Sequence, residues 1–204
     1  MTTLPRLLLL PLAAAPVLLA GAGTAAPRPA AGPPTAAPVT FRIDPVHSWI
    51  LFRTRHLGIG TAWGSFRSFS GDFRLDPDDP AAASVRIEIE AESVTTGNAR
   101  RDDHLRGPDF FNVREFPTIR FRSTAVEGGP DEFLVRGQLE LLGRKKEIEV
   151  AMHKVGEGKD PWGGYRAGFD GEFRLNRTDF GMDFMKEGLG PEVTVVLAFE
   201  GVRE

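Results

Sequence analysis

Tyr165–Leu175 reads YRAGFDGEFRL, in which Tyr165, Ala167, Phe169, Gly171, Phe173 and Leu175 alternate with Arg166, Asp170, Glu172 and Arg174. Period two is the repeat of a pleated strand, whose successive side chains point to opposite faces. One face is apolar and carries two phenyl rings, and the other is charged, so the strand is half-buried. The same alternation recurs outward in both directions. SVRIEIEAE places Val85, Ile87, Ile89 and Ala91 on one face, and EFLVRGQLELL places Phe133, Val135, Gly137, Leu139 and Leu141 there. EIEVAMHK contributes Ile148, Val150 and Met152, and EVTVVLAFE contributes Val193, Val195, Leu197 and Phe199. Further strands are expected near Ser48–His56, Ala62–Leu75 and Pro117–Val126. About eight strands joined by short turns predict an all-β antiparallel sandwich or up-and-down barrel.

A sheet with one apolar face must hide it, either by stacking on a second sheet or by curling closed. Gly71, Gly137, Gly168 and Gly171 sit inside strands, where bulges or bends turn a barrel corner, and so favour closure. A barrel of this size is filled by side chains or holds one small ligand, and alternation suits both.

The first 38 residues read differently. One basic residue, Arg6, precedes the apolar run LLLLPLAAAPVLLA, and Ala20-Gly21-Ala22 has the small-residue pattern of a cleavage site. This predicts a signal peptide over residues 1–22 and an exported protein, periplasmic or secreted. A retained anchor is the competing reading. Residues 23–38, GTAAPRPAAGPPTAAP, predict a disordered Pro/Ala-rich tether, and residues 39–204 the folded domain. The chain has no Cys, so export involves no disulfide stapling. The formal net charge is −3, and no basic stripe calls for nucleic acid.

The main interruption of the alternation is Thr95–Val113, TTGNARRDDHLRGPDFFNV. Asn98 predicts a cap for a short helix over Ala99–Arg106, with Gly107 as a left-handed stop. On it Arg101 and His104 share a face with Leu105 beside them. Arg101, Asp102 and His104 resemble an acid–base set, but no nucleophile accompanies them. A lid over one barrel end, with Phe110 and Phe111 turned inward, is the better reading. The histidines, His47, His56, His104 and His153, lack the close-spaced pairing of a metal site. No G-x-S-x-G elbow or phosphate loop is present. Fifteen Phe and three Trp against one Tyr supply apolar rings for a filled core or for a lined pocket.

Several segments together resemble the YceI-like family of exported bacterial proteins. They are FRIDPVHSWILFRTRHLGIG, WGSFRSFSGDFRLD, SVTTGNARRDDHLRGPDFFNVREFPTIRFRST, GQLELLGRKKEIEV and LNRTDFGMD, running in order from Phe41 to Asp183. The resemblance implies an eight-stranded antiparallel lipocalin-like barrel with a short helical excursion, often dimeric, whose cavity holds a polyisoprenoid or similar long-chain lipid such as an isoprenoid quinone. It implies a carrier or sequestering protein with no catalytic residues, no metal and no cofactor beyond such a lipid. Transient membrane contact would accompany loading. On this reading His47, His56, Arg101 and His104 stand at the mouth, and Trp49, Phe52, Phe66, Phe110, Phe111, Phe121, Phe169 and Phe180 line the cavity. The sequence departs from the family pattern at Glu140 and Leu142. The alternatives are a metal-dependent or acid–base enzyme on the barrel scaffold, and a filled barrel acting as an interaction module.

Overall fold

The computed structural model describes residues 38–76 and 79–204. The expected signal peptide, and all of the expected tether but Pro38, lie outside the described residues. The strands are β1 (Val39–Ile43), β2 (Trp49–His56), β3 (Gly60–Phe66), β4 (Phe69–Leu75), β5 (Ser84–Glu90), β6 (Val94–Thr95), β7 (Thr118–Gly128), β8 (Glu132–Leu141), β9 (Arg144–Lys159), β10 (Tyr165–Asn176) and β11 (Leu189–Arg203). One α-helix among the described residues, α1 (Ala99–Arg106), interrupts them.

β1 and β2 lie end to end along one edge of β11, pairing with residues 201–203 and 189–198. β4 and β3 pair with these two in turn, and β5 and β6 pair with β4 and β3. Each end-to-end pair acts as one stave broken in the middle. The result is eight antiparallel staves in chain order, and β11 returning to β1 and β2 closes the barrel. The break at residues 67–68 splits the expected strand Ala62–Leu75 in two, and β1, ahead of the expected strand Ser48–His56, is an additional strand. Because the strands pair all the way round, residues 39–203 close the barrel without any earlier segment.

Inward positions follow the alternation. Ile87, Val135, Leu139, Val150, Phe169 and Phe199 are buried, while Arg86, Glu88, Glu149, Asp170 and Glu192 are exposed. Register shifts fall beside Gly137, opposite Ser123, and at Gly168/Phe169, as expected for corner glycines. Gly71 and Gly171 instead sit in unbroken register. Gly171 serves as clearance, because a Cβ there would lie 2.2 Å from Met152 Sδ.

The barrel has two unlike ends. The turns at residues 57–59 and 142–143 and the segments 96–117 and 177–188 crowd one end, the mouth. The turns at residues 76–83, 129–131 and 160–164 form the other, the far end. Asn98 Oδ1 accepts the Arg101 amide at 3.1 Å and starts α1 as its sequence predicts. The expected left-handed stop does not occur. Gly107 has φ −72° and ends the helix in extended backbone, its N–H donating to His104 O.

Candidate ligand-binding site

The barrel is hollow. Two chambers follow one another along its interior, an upper one of about 440 Å³ at the mouth and a lower one of about 120 Å³. Both are lined by Ile50, Ile89, Leu139, Phe173 and Val195, which form a waist between them. Apart from Arg74 at its edge, the lower chamber is lined only by apolar side chains. Aromatic rings pack together toward its far end: Phe41 stacks on Phe73 at 5.1 Å, and Phe169 meets Phe73 edge-on at 5.3 Å and Phe133 at 5.8 Å. The phenylalanines therefore serve partly as core and partly as wall.

The upper chamber reaches solvent, since its lining includes the exposed His56, Thr61, Arg101, His104 and Met185. Every lining residue with an ordinarily ionisable side chain is basic: His56, Arg101, His104 and Arg177. α1 covers this mouth because Asp102 holds it down. The Asp102 carboxylate accepts from Thr95 Oγ1 at 2.9 Å, from the Thr96 amide at 2.7 Å and from Thr96 Oγ1. Burial alone would raise this carboxyl, but the Thr96 and Thr95 hydrogen bonds outweigh it and hold Asp102 below its usual range. Arg106 adds bonds to Glu92 O and Val94 O at 2.8 and 3.0 Å. Asp102→Ala is expected to cost about 2 kcal/mol by stranding these donors. Equilibrium denaturation measures it, and faster hydrogen exchange at the Thr96 amide localises it.

The second support is Arg177, which is 3% exposed. Its Nε donates to Gly190 O at 3.1 Å, Nη1 to Met182 O at 2.7 Å and Phe184 O at 2.9 Å, and Nη2 to Leu189 O at 3.0 Å. A guanidinium has five N–H donors. One Nη2 N–H thus has no protein acceptor among the described residues. Burial pushes this guanidinium below its usual value, opposed by the charge of Asp183. Across the mouth, Phe184 meets the His104 ring at 5.2 Å and the Phe110 ring at 5.5 Å, and His104 Nε2 pairs with Asp109 Oδ2 at 2.8 Å.

Nine of the twelve residues expected at the site line the chambers. Phe52, His56, Phe66, Arg101, His104, Phe110 and Phe111 line the upper one, and Phe121 and Phe169 the lower. Three do not. Trp49 is 46% exposed on the outer face, with the Arg67 guanidinium 5.5 Å from its ring centroid, because it alternates with the inward Ile50. His47 lies outside in the break between β1 and β2, its Nδ1 2.8 Å from Asp44 Oδ2. Phe180 is buried, but in the single helical turn Arg177–Phe180 and in neither lining. The departures at Glu140 and Leu142 do not touch the lining either. Glu140 lies 3.8 Å from Lys145, and Leu142 occupies the turn between β8 and β9.

Asp44, His47 and Glu200 bring ligand-type atoms within 4.8 Å of one another, a grouping without a spacing signature in the sequence. Arg166 holds the position that a cation would take. Its Nη1 contacts Asp44 Oδ2 at 2.8 Å and Glu200 Oε1 at 2.5 Å, and its Nε contacts Asp160 at 3.0 Å. The cluster is a clasp between strand ends. Arg166, then His47, holds the Asp44 carboxyl at about 2 against an ordinary 3.8. A carboxyl depressed in the fold binds fewer protons there than in the unfolded chain. Its stabilisation is therefore complete above about pH 4 and lost as pH falls through about 2. Asp44→Asn is expected to remove about 2 kcal/mol at neutral pH, discounted for solvent screening, and to flatten the acid limb of the stability curve. Urea midpoints taken across that range measure both.

An eight-stranded antiparallel barrel with a largely apolar interior belongs to the class of small hollow β-barrels. Residues 41–201 match the model of the YceI-like domain, and the chain belongs to that family. It is 43% identical over 162 residues to a UPF0312 protein of Azotobacter vinelandii, covering 78% of this chain and 83% of that one. Among solved structures it is similar to Burkholderia cenocepacia BcnA, with TM-score 0.70, 22% identity and coverage of 78% and 98%. It is also similar to a polyisoprenoid binding domain from Saccharophagus degradans, with TM-score 0.62, 13% identity and coverage of 80% and 98%.

Proposed function

We propose that the protein binds a long-chain apolar lipid of the polyisoprenoid type and carries or sequesters it outside the cytoplasm. The observation that carries this reading is the upper chamber, apolar in its walls and basic at its mouth, continued through the waist into an apolar end. An isoprenoid tail exposes only apolar surface, and enclosing it returns about 25 cal/mol per Å². The tail lies along the chambers. The head, rich in hydrogen-bond acceptors, meets Arg101, His104, His56 and the spare Arg177 N–H. The Saccharophagus domain of like fold supports the ligand class. The leader-like sequence of residues 1–22 supports export. A binding role is favoured over catalysis by the almost wholly apolar lining of the lower chamber and of the upper chamber's walls.

The test is native mass spectrometry of protein purified from a bacterial host, with organic extraction of whatever it holds. The expected result is a mass increment that extraction identifies as a prenyl lipid. An empty protein that also fails to take up added polyprenol or isoprenoid quinone would overturn the proposal.

A further inference from the structure

Four non-glycine residues among those described have positive φ, and all lie at the mouth end: Leu57 at 52°, Asn112 at 43°, Leu142 at 52° and Met185 at 54°. Left-handed backbone is unfavourable for a branched or bulky side chain and is tolerated best by Asn. Asn112 is therefore unremarkable, and Leu142 packs against the core. Leu57 and Met185 have no such reason. They are 54% and 45% exposed, and beside them Ile59 is 87% and Phe184 40% exposed. Leu57 and Gly58 are both left-handed, and the Ile59 amide donates to His56 O at 3.1 Å. That is the pattern of a tight hairpin turn whose preferred sequence is Asn-Gly. The chain places leucine where the turn favours asparagine, and then leaves it in water.

These side chains belong to one rim. The Leu57 amide donates to Gly188 O at 2.7 Å. A Cβ on Gly188 would lie 2.6 Å from Met185 Cε and 3.5 Å from Leu57 Cδ2, so both side chains bracket it. Met185 also lines the upper chamber, which makes the exposed rim continuous with the apolar interior. The other exposed apolar residues differ. Val46, Val155 and Trp162 lie on separate elements with ordinary φ, and Trp49 and Trp63 lie under Arg67 and Arg53. Charge also distinguishes the two ends. The far-end turns carry Asp76, Asp79, Asp131 and Asp160 and no Lys or Arg among the described residues, whereas the mouth-end segments nearly balance, with Arg100, Arg101, Arg106, Arg114, Arg177 and Lys186 against Asp102, Asp103, Asp109, Glu115, Asp179, Asp183 and Glu187. An anionic bilayer therefore repels the far end more than the nearly neutral mouth.

We infer that Leu57 and Ile59, with Phe184 and Met185 opposite, form a docking rim that inserts into a lipid bilayer surface and sets the chamber mouth against it. The inference rests on the lipid-binding reading for its purpose, and its test is independent of that reading. Co-sedimentation with vesicles of phosphatidylethanolamine containing a minority of phosphatidylglycerol is compared for the barrel, residues 38–204, and its Leu57→Asn/Ile59→Ser variant. Neither substituted residue lines a chamber. Asn suits the turn, so the variant should melt no lower than the parent while its vesicle partition falls at least about tenfold. Unchanged partition by a folded variant overturns the inference. So does light scattering that finds a dimer dispersed by the substitutions with no vesicle binding by the parent, which would make a second copy the occupant. If the double variant does not fold, Ile59→Ser alone gives the same comparison. Lipid content is read in parallel by native mass spectrometry. Lost docking with retained lipid supports both readings, lost docking in a protein that never holds lipid supports the rim alone, and retained docking removes the rim alone.

Discussion

Arg177→Met is expected to lower stability by about 4 kcal/mol, the order of cost for leaving several buried carbonyls without their donor. Four carbonyls, those of Met182, Phe184, Leu189 and Gly190, converge on this guanidinium and would lose it together. Each buried carbonyl left without a donor costs about 1–3 kcal/mol, reduced where water reaches it, as it does near exposed Phe184. For a domain of this size the loss corresponds to a fall in Tm of about 8–16 °C. Arg177→Lys keeps the charge but lacks the planar fork, and should recover less than half of the loss. Equal stability of the Lys variant and the parent would mean that charge rather than geometry holds the loop. The substitution also reaches the mouth, because these carbonyls shape the segment that carries Phe184 and Met185. Exchange of the Leu189 amide, bonded to Met185 O at 2.8 Å, should quicken in the Met variant before global unfolding.

The alternation in YRAGFDGEFRL and its counterparts made the staves legible, because inward and outward positions are fixed by parity within one strand. Parity also places Trp49 outside, beside Ile50, and the attraction of an aromatic for a pocket obscured it. His47 lies in a break, where alternation says nothing. The lid was legible from a local signal, the Asn98 cap, and from the absence of a nucleophile near Arg101 and His104. The waist was not. Ile50, Ile89, Leu139, Phe173 and Val195 come from β2, β5, β8, β10 and β11. Their meeting depends on register between strands that no sequence spacing records. Arg177 stood in a quoted motif, LNRTDFGMD, but its partners are backbone carbonyls, and a carbonyl has no residue identity to read.

The waist yields the sharpest functional expectation. Leu139 is buried on β8 opposite Phe121 and borders both chambers. Leu139→Trp puts a larger ring where the chambers join, and the lower void of about 120 Å³ can take part of it. The overpacking cost should therefore stay near the low end of about 1–3 kcal/mol. At the roughly 30 Å³ that a small molecule such as water occupies in a liquid, the lower chamber has room for about four methylene-sized groups. Excluding four such groups at about 0.8 kcal/mol each removes about 3 kcal/mol, or on the order of a hundredfold in affinity. The loss should depend on length. A prenyl chain long enough to pass the waist should bind Leu139→Trp about a hundredfold more weakly than the parent, and a short one with the same head should bind both equally. Fluorescence competition with a prenyl alcohol series measures both arms. Equal loss at every length would mean that the ring disturbs the mouth. No loss at any length would mean that the tail stops above the waist, and the lower chamber would then belong to the core.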